Sequence, residues 1–312
     1  MDMPQINEAS FSCAVEQRFH NLRLDQYLAL QFEEYSRSQI GQAIKAGNIR
    51  VNTAEVKPGH RLKTGDTIDG SLGLDRQDST IEPEDIYFQV LLEDPDFIVI
   101  AKPPGLVVHP GSGNRDSTLV NGLLYRYGEL AEVGDGSRPG IVHRLDKETS
   151  GVMVVARTKR GHAALVDQFK YRRVEKTYLA IVRGVIPEPC GRIVAPLGRH
   201  PINRQKMAVR LETGRYAASS WKCRASYRTH TLLEVQIETG RTHQIRVHMA
   251  HIGHPVVGDK LYGRASGGTY FPRHMLHAWK LRFFHPRTGE RVSVVADPGD
   301  DFNAAIDRLE AL

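Results

Sequence analysis

Apolar residues return at two rhythms along this chain, and the rhythm changes near residue 85. Between residues 18 and 70 the spacing is first helical. Leu24, Tyr27, Leu28 and Phe32 recur at steps of three and four, and Ile40 and Ile44 repeat the step further on. Ser36 or Ser38 is placed to cap the second helix, and Gly47 to stop it. Ile49 and Val51 then alternate with polar residues. Turn signals follow at Asn52–Ala54, Pro58-Gly59 and Thr64-Gly65-Asp66. Two short helices followed by small strands make one small α+β module. Residues 1–17 show no periodicity and are expected to form a flexible arm. Residues 71–84 are polar and acidic and are expected to form a linker.

From residue 85 to residue 312 strand patterns take over. They include YFQVLLED, DFIVIAKPPG, GVMVVART, KTYLAIVRG, TLLEVQIETG and HAWKLRFFHP. Helical patterns are few: STLVNGLLYRYG, HAALVDQFK and THQIRVHMAHIG. Strands dominate and do not alternate regularly with helices. That argues against a doubly wound fold and predicts an α+β domain on a large mixed, mostly antiparallel sheet. The longest apolar runs, Phe97–Ala101 and Val152–Ala156, hold five residues each, too few to span a membrane. The start, MDMPQINEAS, has neither a basic segment nor an apolar one, so no secretory signal is expected. Cys13, Cys190 and Cys223 lie far apart and form no CxxC pair. This excludes a disulfide framework or a cysteine zinc site and favours the reducing cytoplasm.

Charge adds a partner class. The formal net charge is +6, but it is unevenly spread. Residues 157–176 carry seven basic against two acidic residues, and residues 199–215 five against one. The tail from 297 to 312 is acidic. Concentrated cationic segments suit a polyanion, because each phosphate contact releases counterions. A solvated basic face with no partner fits the same charge count.

Two stretches crowd polar chemistry beside apolar runs. In PGIVHRLDKETSGVMV, residues 139–154, His143, Arg144, Asp146, Lys147, Thr149 and Ser150 precede a strand pattern. That loop is a candidate site, though a tight turn held by local salt bridges has the same composition. In ETGRTHQIRVHMAHIG, residues 238–253, Thr242 can cap a helix whose apolar stripe is Ile245, Met249 and Ile252. Arg246 and His248 fall off the stripe. The histidines at 243, 248, 251 and 254 lack the HExxH spacing of a metal helix and read as hydrogen-bonded or RNA-facing groups. In KTYLAIVRG both strand faces are apolar, so Tyr178 is expected to be buried.

These residues also carry a family resemblance. HRLDKETSG at 143–151 resembles the catalytic signature of the RluA-type pseudouridine synthases. VVHPGSGN at 107–114, KTYLAIVRG at 176–184, GRHPINRQKMAV at 198–209 and GRTHQIRVHMAHIGHPVVGDKLYG at 240–263 resemble further blocks of that family, in order. RLDQYLALQFEEYSRSQIGQAIKAGNIRVN at 23–52 resembles the S4-like RNA-binding domain of a small-subunit ribosomal protein. The likeness spans roughly residues 18–290.

The resemblance implies an S4-like domain at 18–70 and a catalytic domain at 85–312 that converts uridine in RNA to its C-glycoside isomer, without cofactor or metal. It assigns the catalytic aspartate to Asp146, the active-site tyrosine to Tyr178 and its basic partner to Arg246. Arg144 is expected to fill the space of a flipped nucleotide. Phosphate contacts are expected from Arg37, Lys45 and Arg50, and from Lys170, Arg172, Arg173, Arg204 and Lys206. Asp146 can attack C1′ or C6, stabilise an oxocarbenium-like state, or remove the C2′ proton, and the sequence does not choose. Large-subunit ribosomal RNA is the expected substrate and a monomer the expected state. Transfer RNA, and a binding protein without catalysis, are the alternatives. A histidine-metal nuclease and a hydrolytic N-glycosylase are further chemistries to be tested.

Overall fold

A computed structural model describes residues 10–32, 35, 37–72, 81–111, 114, 116–134, 136, 138–203, 205–263 and 271–311. It divides into two compact units, residues 1–80 and 81–312. Ser36 and Arg204 lie outside the described residues.

The first unit is built from β1 (Phe11–Ala14), α1 (Leu24–Gln31), α2 (Arg37–Lys45), β2 (Ile49–Val51), β3 (Ala54–Glu55) and β4 (Thr67–Gly70). Its four strands pair antiparallel in the order β1-β4-β2-β3. The helical stripes read from the sequence, Leu24, Tyr27, Leu28 and Phe32 with Ile40 and Ile44, are buried in one core with Ile49, Val51, Leu62 and Ile68. Gly47 ends α2 with a φ of +79°, a conformation that glycine takes without strain. The expected loose arm over residues 1–17 needs correction at its end. Residues 11–14 are a strand, because Phe11 and Val15 are apolar enough to join the core.

The second unit contains β5 (Gln89–Glu93), β6 (Phe97–Lys102), α3 (Leu119–Arg126), β7 (Ser150–Ala156), α4 (Lys159–Lys170) and β8 (Glu175–Arg183). These are followed by β9 (Cys190–Val194), β10 (Leu197–Arg199), β11 (Met207–Val209), β12 (Ala218–Ser226), β13 (His230–Ile237) and α5 (Gln244–His251). The chain closes with β14 (Leu276–Phe284), β15 (Arg291–Val295) and α6 (Asp300–Glu310). β10 and β11 form a separate hairpin. The rest make a nine-stranded sheet, β5-β6-β7-β14-β8-β13-β12-β9, with β15 on the other half of β14. Only β7 and β14 run parallel. The fold is thus α+β on a large, mostly antiparallel sheet. None of the helices among the described residues is long and apolar enough to cross a membrane.

β7 is buried along its whole length and β8 nearly so, which explains their near-continuous apolar sequences. Gly151, at the start of β7, has a φ of +114°, and a Cβ there would stand 2.1 Å from the Ala278 carbonyl oxygen. Its hydrogen side chain lets β14 approach just after the Asp146 loop. Two sequence readings change. The expected linker ends before residue 81: the Asn121 side chain donates to the Glu82 carbonyl, and the Ser117 backbone N–H and hydroxyl donate to the Glu84 carboxylate. The acidic tail holds a helix, α6, that buries Phe302, Ala305 and Leu309.

One buried carboxylate ties three elements together. Asp96, 2 % exposed, accepts from Arg287, Arg160 and Thr158. The Arg287 hydrogen bond leads the causes that hold its pKa down at about 2, outweighing burial. A pKa depressed on folding contributes stability above the unfolded value, lost as pH falls through the folded one. Because both guanidinium groups are more than half exposed, solvent screening leaves on the order of 1 kcal/mol. Asp96→Asn is expected to lower the thermal midpoint at pH 7. The difference from the unaltered protein should shrink from about pH 4 downward and be lost below about pH 2.

Candidate active site

The site forms where the loop before β7 meets the start of α5. α5 begins one residue later than its sequence suggests. Its N-cap is His243, held at a left-handed φ of 57°, and Thr242 makes no cap. This turn is stabilised by Gln244, whose side-chain oxygen accepts from the Thr239 hydroxyl and the Arg241 N–H. Arg246 lies one residue round from the apolar stripe and points inward, only 5 % exposed.

A buried guanidinium needs carboxylates, and two supply them. Arg246 gives Nε and Nη2 to the two oxygens of Asp259, at 2.7 and 3.0 Å. Its remaining Nη1 donates to Asp146 Oδ2 at 2.9 Å. Asp259 also accepts from the Leu261 and Tyr262 N–H groups. Burial works against charge on both partners of the inner pair. The hydrogen bonds and opposite charges outweigh it, raising the Arg246 pKa and lowering that of Asp259. Gly258 places Asp259: with φ +72°, its missing Cβ would lie 1.9 Å from the Arg273 carbonyl oxygen.

Asp146 therefore has one oxygen held. Among the described residues no donor bonds its Oδ1, and the group is about one-fifth exposed. It faces an open cleft walled by Arg144, Thr149, Tyr178, Ile237, the 240–246 turn and Leu276. Tyr178 lies mid-β8, between Val235 of β13 and Ala278 of β14. Burial, then the charge of Asp146, raises the pKa of its hydroxyl, so the hydroxyl is neutral at neutral pH. Arg144 is exposed at the cleft wall.

Neutral histidines hold this arrangement. His143 stacks on Phe169 at 4.6 Å and accepts from the Val154 N–H, and burial pushes its pKa down to about 3. His274 bonds the Thr149 hydroxyl at 2.8 Å, and burial followed by Arg246 takes it down to about 4. His277 bonds Ser150 and the Ala296 carbonyl. Arg273 bridges Asp301 of α6 to the Glu148 carbonyl and the Ser150 hydroxyl. Lys102 donates to the carbonyls of Pro103, Leu106 and Lys147. His243 meets the Tyr262 hydroxyl at Nδ1 and sits 3.8 Å from Asp146 at Nε2. Both ring nitrogens of His248 are taken, by Ser219 and the Ala195 carbonyl. Among the described residues no three His, Cys, Asp or Glu side chains converge as a metal-ligand set.

The structure brings Asp146, Tyr178, Arg246 and Arg144 around one cleft. Lys170, Arg172 and Arg173 are exposed at the end of α4, and Lys206 is half-buried before β11. In the first unit Lys45 is exposed, Arg37 pairs with Asp25 at 2.7 Å, and Arg50 lies 3.9 Å from Glu55. Sequence reasoning gave no role to Asp259, Tyr262, Arg273, His274 or Lys102. For the first two the signal was present, in the GDKLYG block.

An RNA pseudouridylate synthase family model matches residues 96–251, and an S4 domain model matches residues 22–68. The chain belongs to the RNA pseudouridine synthase family and is an isomerase of uridine in RNA. A protein named ribosomal large subunit pseudouridine synthase D from Xanthomonas campestris is 46 % identical over 92 % of this chain and 88 % of its own. One of the same name from Pseudomonas aeruginosa is 44 % identical over 90 % of this chain and 89 % of its own. The structure of human RNA pseudouridylate synthase domain containing 1 aligns with a TM-score of 0.58 at 28 % identity, covering 73 % of this chain and 97 % of that one.

The inner ion pair can be tested without substrate. Asp259→Asn leaves Arg246 buried with half its compensation, and breaking a buried pair costs about 3 kcal/mol. A thermal-unfolding measurement should show a clearly lowered midpoint, and Asp259→Glu should recover part of it.

Proposed function

We propose that this chain isomerises uridine in large-subunit ribosomal RNA, acting as a monomer in the cytoplasm, with Asp146 as the reacting carboxylate. The observation that carries the reading is the half-occupied carboxylate. Arg246 fixes Oδ2, and Oδ1 is left at the wall of the cleft beside Tyr178. The names of the relatives support the substrate. Unpaired thiols at Cys13, Cys190 and Cys223 fit a reducing compartment.

The reaction breaks the bond between N1 of uracil and C1′ of ribose, joins C5 to C1′, releases the proton from C5 and leaves N1 carrying a proton in its place. A nucleobase reaches the Asp146 carboxylate only after leaving its stack, at a cost of a few kcal/mol that is smallest in loops and single strands. Arg144 fills the vacated space. The Asp146 carboxylate attacks at the sugar or the base, or takes the C2′ proton, and the Arg246 guanidinium orients it. Tyr178 stacks on the uracil, and its neutral hydroxyl assists the proton transfer at C5. Arg37, Lys45, Arg50, Lys170, Arg172, Arg173, Arg204 and Lys206 contact backbone phosphates.

Tritium release from ribosomal RNA transcribed with 5-tritiated uridine measures turnover. Asp146→Asn is expected to abolish release while RNA binding is retained. Substantial single-turnover activity in that variant would remove Asp146 from the mechanism. Tyr178→Phe is expected to cut turnover by about 100-fold or more; unchanged turnover would reduce the residue to stacking. Free uracil among the products would mark a glycosylase, and shortened RNA a nuclease.

A further inference from the structure

Side chains two apart on a strand share a face, about 7 Å from each other. On β8 this places Lys176 beside Tyr178, with Lys176 opposite Ile237 of the cleft wall. Lys176 is more than nine-tenths buried. A buried ammonium is ordinarily paired with a carboxylate. Among the described residues none lies within salt-bridge distance of this one; its neighbour is the Phe169 ring, 5.8 Å from Nζ.

Its charged surroundings are cationic. Arg172, held at a left-handed φ of 57°, lays its guanidinium 5.1 Å over the Tyr216 ring. Arg241 donates from Nε to the Tyr216 carbonyl at 3.2 Å and walls the cleft. Two guanidinium groups thus converge on one residue, and neither has an ion-pair partner among the described residues. The carboxylate in the neighbourhood, Glu238, is engaged by Arg192 and by the Tyr216 hydroxyl. Burial and then these two arginines push the Lys176 pKa down to about 8, and burial with Arg215 and Arg172 lowers that of Arg241. Such a cluster stores like-charge repulsion that an arriving anion relieves.

Resting on the RNA reading above, we propose that Lys176, Arg172 and Arg241 form a subsite for a phosphodiester group of the substrate strand, next to the nucleotide that enters the cleft. The spacing suits it. Lys176 and Tyr178 lie two residues apart on one face of β8, and Arg241 walls the same cleft as Tyr178. The subsite holds the strand by charge at the point where the base leaves the stack.

The test is the salt dependence of RNA binding, measured in an Asp146→Asn background so that no turnover intervenes. The probe is a transcript of large-subunit ribosomal RNA. Lys176→Met is expected to weaken binding and to flatten the log–log salt slope by about 0.7 to 0.9, the value for one phosphate contact. Lys176→Arg, which keeps the charge, should restore the slope. If Lys176→Met does not fold, Arg172→Met, on an exposed side chain, carries the same expectation. An unchanged slope in the variant that folds overturns the proposal. So does a slope lost equally in Lys176→Arg. So does Lys176→Met, without the Asp146 change, binding with the full slope yet releasing no tritium, which would give Lys176 a part in proton transfer. Tritium release by the otherwise unaltered protein, measured in parallel, separates failure of the isomerase reading from failure of this one.

Discussion

The site depends on one guanidinium shared between two carboxylates. Arg246 turns its Nε and Nη2 to Asp259 and has Nη1 left for Asp146. The planar fork makes this division possible. A lysine in the same place would offer a point charge with no fixed direction. Asp259 is fixed in turn by two backbone N–H groups, so the orientation of Asp146 is inherited from the main chain through two rigid planar groups. The outer carboxylate then has one oxygen restrained and one available.

The remaining supports of the Asp146 loop carry little charge. Burial keeps His143 and His274 neutral, and they serve as hydrogen-bonding spacers. Arg273 is the exception, and its charge is met by Asp301 of α6. Field inside the cleft comes from Asp146, Arg246, Arg241 and the exposed Arg144. The Asp146 loop is also tied, through Arg273 and His277, to the start of β14 and to α6, more than 120 residues later in the chain.

Positive charge is sorted by its partners. At Asp96 and Asp25, arginines are spent on structure. Arg173 and Arg172 instead lie over the rings of Tyr171 and Tyr216, with no ion pair among the described residues. Net charge alone cannot separate these two uses. The ion pairs can.

Periodicity and turn residues sufficed for the two units, the helical stripes of the first and the strand-dominated second, and the family resemblance picked out Asp146, Tyr178, Arg144 and Arg246 as candidates. These are local facts: periodicity, turn residues and contiguous motifs survive in one dimension. The sequence also led to errors of a local kind. An arm was expected where Phe11 and Val15 join a core, and a linker was expected up to residue 84, although Glu82 and Glu84 bind the 117–121 region. Only the packing shows that the Arg246 guanidinium is divided between Asp146 and Asp259, and that Lys176 is buried. Such facts depend on which strands pair, and on burial, which turns an ordinary lysine or histidine into a group whose charge must be answered or given up.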